Sequence, residues 1–139
     1  HYGFTLEKTF SNNLRVGTSA GRFRELNQDH TRYFQLNTRY DNGQYTFLAE
    51  GIVDYHSPTL LPEAKSSSIY TQLEYRFAPR HAAIVRAESF RDDRISLHEK
   101  IGVLGYSYRP QFPISLKLEY QWHADSDNNR LVGSFSVLF

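Results

Sequence analysis

Residues 114–123 read ISLKLEYQWH, and how they are read decides the fold. Ile114, Leu116, Leu118, Tyr120 and Trp122 fall on every second position, with Ser115, Lys117, Glu119, Gln121 and His123 between them. A period of two is that of a strand, whose successive side chains point to opposite faces. An α-helix would scatter both sets around its axis. The stretch is therefore a strand with one apolar and one charged face.

The same period runs through the whole chain. Segments near 1–10, 14–24, 31–41, 44–55, 68–78, 82–91, 100–110, 114–124 and 130–139 read as strands, and no window sustains a helical apolar pattern. Short connections (SNN at 11–13, NG at 42–43, PRH at 79–81, QFP at 111–113) alternate with longer polar ones (ELNQDH, HSPTLLPEAKSS, RDDRISLHE, DSDNN). A meander with tight turns at one end and long loops at the other follows. Asn42-Gly43 fits a two-residue hairpin turn with positive φ at both positions, which pairs Arg39 with Thr46 and Gln35 with Glu50. A three-residue loop at 79–81 sets Glu74 opposite Arg86, an attractive cross-strand pair.

Composition narrows the class. The 139 residues carry a formal net charge of +1, which gives no field favouring nucleic acid. Cysteine is absent, so neither disulfides nor thiolate metal sites exist. No apolar run is long enough for a membrane-spanning helix. Mean hydropathy is −0.58 although 15% of residues are aromatic, an odd pairing for a compact soluble core. Methionine is also absent and residues 1–4, HYGF, do not resemble a signal peptide, so a mature chain or a piece of one is expected.

Period alone does not separate a soluble sandwich, with its apolar face inward, from a membrane-spanning barrel, with its apolar face in lipid. Three features favour the membrane. Aromatic residues of the apolar set sit at both strand ends: Tyr40, Tyr45, Phe77 and Tyr108 near tight turns, Tyr55 and Trp122 near long loops, the disposition of an interfacial girdle. Strands of about ten residues match a tilted crossing of hydrocarbon. The opposite face is charged with balanced signs: Arg39, Glu50, Glu74, Arg76, Arg86, Glu88, Arg109, Lys117 and Glu119 are the expected lumen-lining residues. The expected fold is an all-β, antiparallel, up-and-down transmembrane β-barrel.

The last residues, RLVGSFSVLF, then make sense. With Leu131, Gly133, Phe135 and Val137 alternating toward a terminal Phe139, the stretch resembles the last strand of Gram-negative outer-membrane β-barrels, which carries the signal read by the barrel-assembly machinery. The resemblance implies a bacterial outer-membrane location, contact with the lipid bilayer and lipopolysaccharide, and tight turns on the periplasmic side. Nine visible strands depart from the even numbers usual in that family, and an open sheet leaves unpaired edges that hydrocarbon does not tolerate. Strands preceding His1, or strands from other subunits, are therefore expected, with 1–139 forming the C-terminal portion of a larger barrel.

The expected function is a porin-like channel for passive passage of small hydrophilic solutes, without enzyme activity, cofactor, metal or nucleic-acid partner. Two alternatives stay open. The barrel could serve a dedicated partner, as a polysaccharide or secretion export conduit or as the outer-membrane sleeve of a larger complex. A rim hydrolase could be built on Asp54, His56 and Ser57, which cluster beside a long loop. The histidines lack the spacing of a metal site. Leu60-Leu61, between prolines in the longest connection, could fold over the barrel mouth or against a neighbouring subunit.

Overall fold

The computed structural model describes residues 2–24, 29–58 and 63–137. His1, Leu60, Leu61 and the terminal Phe139 lie outside these. Nine strands form one antiparallel sheet: β1 (Tyr2–Ser11), β2 (Leu14–Arg24), β3 (His30–Asp41), β4 (Tyr45–Ser57), β5 (Ala64–Ala78), β6 (His81–Asp92), β7 (Leu97–Tyr108), β8 (Ile114–His123) and β9 (Arg130–Val137). Their order across the sheet is their order along the chain. The all-β, up-and-down meander is thus the one expected. Closure into a barrel is not seen among the described residues: β1 pairs with β2 alone and β9 with β8 alone.

The connections differ from expectation in ways the side chains explain. Across residues 42–43 the pairing runs Asp41 with Thr46, Arg39 with Leu48, Asn37 with Glu50 and Gln35 with Ile52, two residues out of the expected register. The Asn42 carboxamide oxygen accepts the backbone N–H of Gln44 (3.1 Å) and Tyr45 (2.7 Å), which moves the tip to Gly43-Gln44. Only Gly43 there has positive φ (89°), the pattern of a turn with glycine at the first tip position. Between β5 and β6 the loop is Pro79-Arg80, closed by Ala78 opposite His81, and a bulge lies between Arg76 and Ala78. Glu74 consequently faces Ile84 and Arg86 faces Gln72, so the expected Glu74–Arg86 pair does not form. Two of the long connections, β4–β5 and β6–β7, are shorter than expected, because pairing continues to His56–Ala64 and Asp92–Leu97.

Register assigns every strand residue to one of two faces. Among the described residues nothing packs over either face, yet burial is one-sided. Ile84, Val103 and Ala82 are buried, and so are Ser19, Thr31, Thr46, Glu74, Asp92, Ser107 and Glu119, all on the charged face. Without a second layer, side chains become covered only by neighbours on the same face, which requires a sheet curled toward that face. The opposite face leaves Phe34, Leu36, Ile69, Val85, Leu104 and Leu118 about half exposed or more.

Candidate functional site

Every Asp and Glu within the nine strands lies on the inward-curled face. The register also puts Arg39, Glu50, Glu74, Arg76, Arg86, Glu88, Lys117 and Glu119 there, and Arg109, just past β7, reaches Glu74 on the same side. They form two groups rather than one row.

The first group, near the tight turns, is built around Arg76. Its Nε donates to Glu74 (3.1 Å), Nη2 to the Thr46 hydroxyl (2.9 Å) and Nη1 to the Gly43 carbonyl (2.6 Å), with Asp41 at 3.4 Å. Arg39 reaches Asp41 from the other side (3.2 Å), and Arg109 adds a second cation to Glu74 (3.5 Å). Glu74 is only 8% exposed, so paired guanidinium groups compensate its desolvation. The second group spans β6 and β8. Arg86 Nε lies 2.6 Å from Glu88 and its Nη2 3.8 Å from Glu119, whose other oxygen lies 3.2 Å from Lys117. Arg86 Nε and Glu119 Oε1 lack aligned hydrogen bonds, so these are ion pairs held by charge. Glu50 has no cation at ion-pair distance among the described residues.

Ile84, Val103 and Gly105 separate the groups, and a Cβ at Gly105 would lie 3.2 Å from Glu119 and 3.3 Å from Ile84. Such apolar filling between ionic groups was not expected from sequence. At the long-loop end the same face carries Thr31 Oγ1 3.0 Å from His56 Nδ1, Asp29 3.8 Å from His56 Nε2, and Glu99 2.6 Å from His123 Nδ1. The Asp54–His56–Ser57 grouping does not assemble. Asp54 accepts from Ser66 (3.3 Å), whereas Ser57 is on the other face and donates to Glu63 (2.6 Å). The Ser57 hydroxyl, aided by Arg32, holds the Glu63 carboxyl below the usual glutamate range.

The other face is an apolar belt with aromatic edges. Tyr40, Tyr45, Tyr55, Phe77, Tyr108 and Trp122 all lie on it, as do Leu131, Gly133, Phe135 and Val137 of β9. Tyr45 stacks on Tyr75 with centroids 5.0 Å apart, and His81 stacks on Phe77 (6.0 Å) and Tyr108 (4.9 Å). Sequence reasoning missed His81, a stacking partner that is visible only once β5, β6 and β7 are in register. Trp122 lies across Gly102, where an added Cβ would be 1.7 Å from the indole.

The belt is slanted against the ladder. Tyr40, its tight-turn edge on β3, shares a register row with Tyr120 on β8, but the belt on β8 continues six residues further, to Ile114. At the other edge, Trp122 on β8 shares a row with Thr38 on β3, where the belt continues four residues to Phe34, before the cation Arg32. Over the five steps from β3 to β8 the tight-turn edge shifts by six residues and the long-loop edge by four.

No family model, curated protein or solved structure matches this chain.

Proposed function

We propose that this sheet is part of the wall of an outer-membrane β-barrel acting as a porin-like channel for small hydrophilic solutes, the terminal strand serving as the assembly signal. The observation that carries the reading is the inversion of burial. Carboxylates such as Glu74 and Glu119 are covered while a continuous belt of Phe, Leu, Ile and Val is bare, an arrangement costly in water and favourable in hydrocarbon. The slant supports it. A shift of four to six residues over five strands is about 1 residue per strand; with a rise of about 3.3 Å and a spacing of about 4.8 Å, a belt parallel to the bilayer requires strands tilted by about 35°. That is the tilt of membrane-spanning barrels.

The mechanism is passive. The apolar face holds the wall in lipid, and the ionic groups of the inner face line a hydrated path whose transverse field orients polar solutes. Most inner charges neutralise one another within their groups; Glu50, Asp54 and Arg130 have no opposite charge at ion-pair distance among the described residues and are the side chains through which the wall acts on a passing ion. The free edges of β1 and β9 favour further strands beside them, from the same chain or another, and they keep the export-conduit and sleeve readings as the second choice.

Planar-bilayer recording tests the proposal. Insertion should give discrete conductance steps, and Glu50→Lys should shift the reversal potential under a salt gradient toward anions while leaving insertion intact. Failure to insert, or insertion without conductance, overturns the channel.

A further inference from the structure

Beyond the Glu7–Arg15 pair (3.5 Å), toward the long loops, no inward position of β1, β2 or β3 carries a charge. Tyr33 stands in this neutral stretch. Resting on the reading of the inward-curled face as the lining of a hydrated path, we infer that Tyr33 is the platform of a binding site for a neutral pyranose sugar.

The tyrosine lies flat because its neighbours are glycines. It stands directly opposite Gly21 on β2, which stands opposite Gly3 on β1. A Cβ added at Gly21 would be 2.7 Å from Cε1 of Tyr33 and 2.8 Å from both Cζ and Oη, and one at Gly3 would be 3.0 Å from Oη. Such nearly equal distances to adjoining atoms put the Gly21 position beneath the ring, because no point in the ring plane is that far from all of them alike. One face of the ring therefore rests on the bare backbone of β2, and the hydroxyl extends over β1.

The other face of the ring looks into the path. Tyr33 is only half-buried, and among the described residues nothing packs over this side of the sheet. A tyrosine that merely filled the wall would have side chains against both faces. Further along β3, Asn37 lies across Gly17 in the same manner, where an added Cβ would be 2.7 Å from its carboxamide oxygen. The inward side chains of β3 thus form a flat shelf over β2, with one aromatic ring set in it.

An open aromatic face in a polar wall matches a solute with an apolar face and a polar rim. The negative face of the ring attracts weakly positive C–H groups, and a pyranose presents C–H groups on its flat sides and hydroxyls around its edge. That edge finds partners of both kinds. Asp54, directly opposite Tyr33 on β4, meets the Ser66 hydroxyl (3.3 Å) and no cation among the described residues, so its carboxylate accepts. Gln35 takes the Ser19 hydroxyl on its carboxamide oxygen (2.9 Å), which fixes the amide and leaves its NH2 to donate. Sugar hydroxyls both donate and accept. An anion would meet Asp54 unfavourably, and a simple cation has no use for the ring's width.

The test uses the full chain in planar bilayers, with maltotriose as the probe and sorbitol, an acyclic polyol without a flat C–H face, as the control. Maltotriose should interrupt the ion current saturably and sorbitol should not. Saturation-transfer NMR on protein in phosphatidylcholine vesicles should show the same preference, strongest at the sugar C–H protons. Tyr33→Ala should insert and conduct as before and bind maltotriose roughly three- to tenfold more weakly, the worth of one stacking contact. Gly21→Val keeps the tyrosine but lifts its ring off the wall, and should weaken binding similarly, whereas Tyr33→Phe should retain most of it. Equal interruption by sorbitol, no effect of maltotriose on a conducting protein, or unaltered binding in Tyr33→Ala and Gly21→Val overturns the inference alone. A protein that does not insert, or inserts without conducting, overturns the channel reading and the inference with it.

Discussion

Trp122 is the single tryptophan of the chain and rests on Gly102, so one fluorophore reports one contact. Gly102→Ala puts a methyl group where the indole lies. The ring must swing outward, and the expected cost is about 1–3 kcal/mol, the range for overpacking a filled site. Trp emission should change with it, and unchanged emission and stability would refute the packing. Ser57 and Glu63 give a second local expectation. Because Ser57, then Arg32, depresses the Glu63 carboxyl, its contribution to stability is present above the ordinary glutamate range and lost as pH falls through the depressed value. Ser57→Ala should move the Glu63 titration, followed by NMR, back up toward the ordinary range. A titration that stays where it was would show that the hydroxyl is not the cause. Neither contact could be read from the sequence, since each joins residues on different strands or across a connection.

The strands themselves were legible, and so were their faces. Alternation in ISLKLEYQWH or QYTFLAEGIVDY marks which side chains go together whatever the partner strand does. For that reason the slip of two residues at the Gly43 tip altered every pairing between β3 and β4 and no facing. The bulge at Phe77 was not legible: the residue that absorbs the extra length has no local mark, and together with the shorter loop it parts Glu74 from Arg86. Arg76 takes the place of that expected pair, tying the β3–β4 tip to β5. Arg76→Ala should leave Glu74 with Arg109 alone and cost on the order of 2 kcal/mol, as for loss of hydrogen bonds to a charged group. Denaturant unfolding would measure it, and Arg76→Lys should recover only part, because an ammonium group cannot reach three partners in the fork of a guanidinium. Full recovery by lysine would mean that charge alone matters there.

Under the membrane reading, depth and register are different coordinates across the sheet. The mid-belt position is Leu36 on β3 and Leu118 on β8, which are not in one register row, whereas Thr38 and Trp122 share a row at different depths. Spin labels at Leu36→Cys and Leu118→Cys should therefore report the same depth in a bilayer by oxygen accessibility. Labels at Thr38→Cys and Trp122→Cys should differ, the second lying close to the surface. Equal depths for the row mates would mean untilted strands and would remove the support that the slant lends to the membrane reading. The candidate inner face was readable because charge accompanies strand period. The slant of the apolar belt was not readable, because a diagonal appears only when the strands are laid side by side in register.

Because β1 to β9 follow one another across the sheet in chain order, each hairpin depends only on its neighbours. Removing or duplicating one hairpin would leave every other pairing as it is and change only the circumference that the wall can enclose, which grows with strand number. In a closed barrel of the proposed kind, pore width is then a modular property, adjustable by copying about two dozen residues at a time, and a lineage could widen or narrow it without re-inventing a contact elsewhere in the sheet.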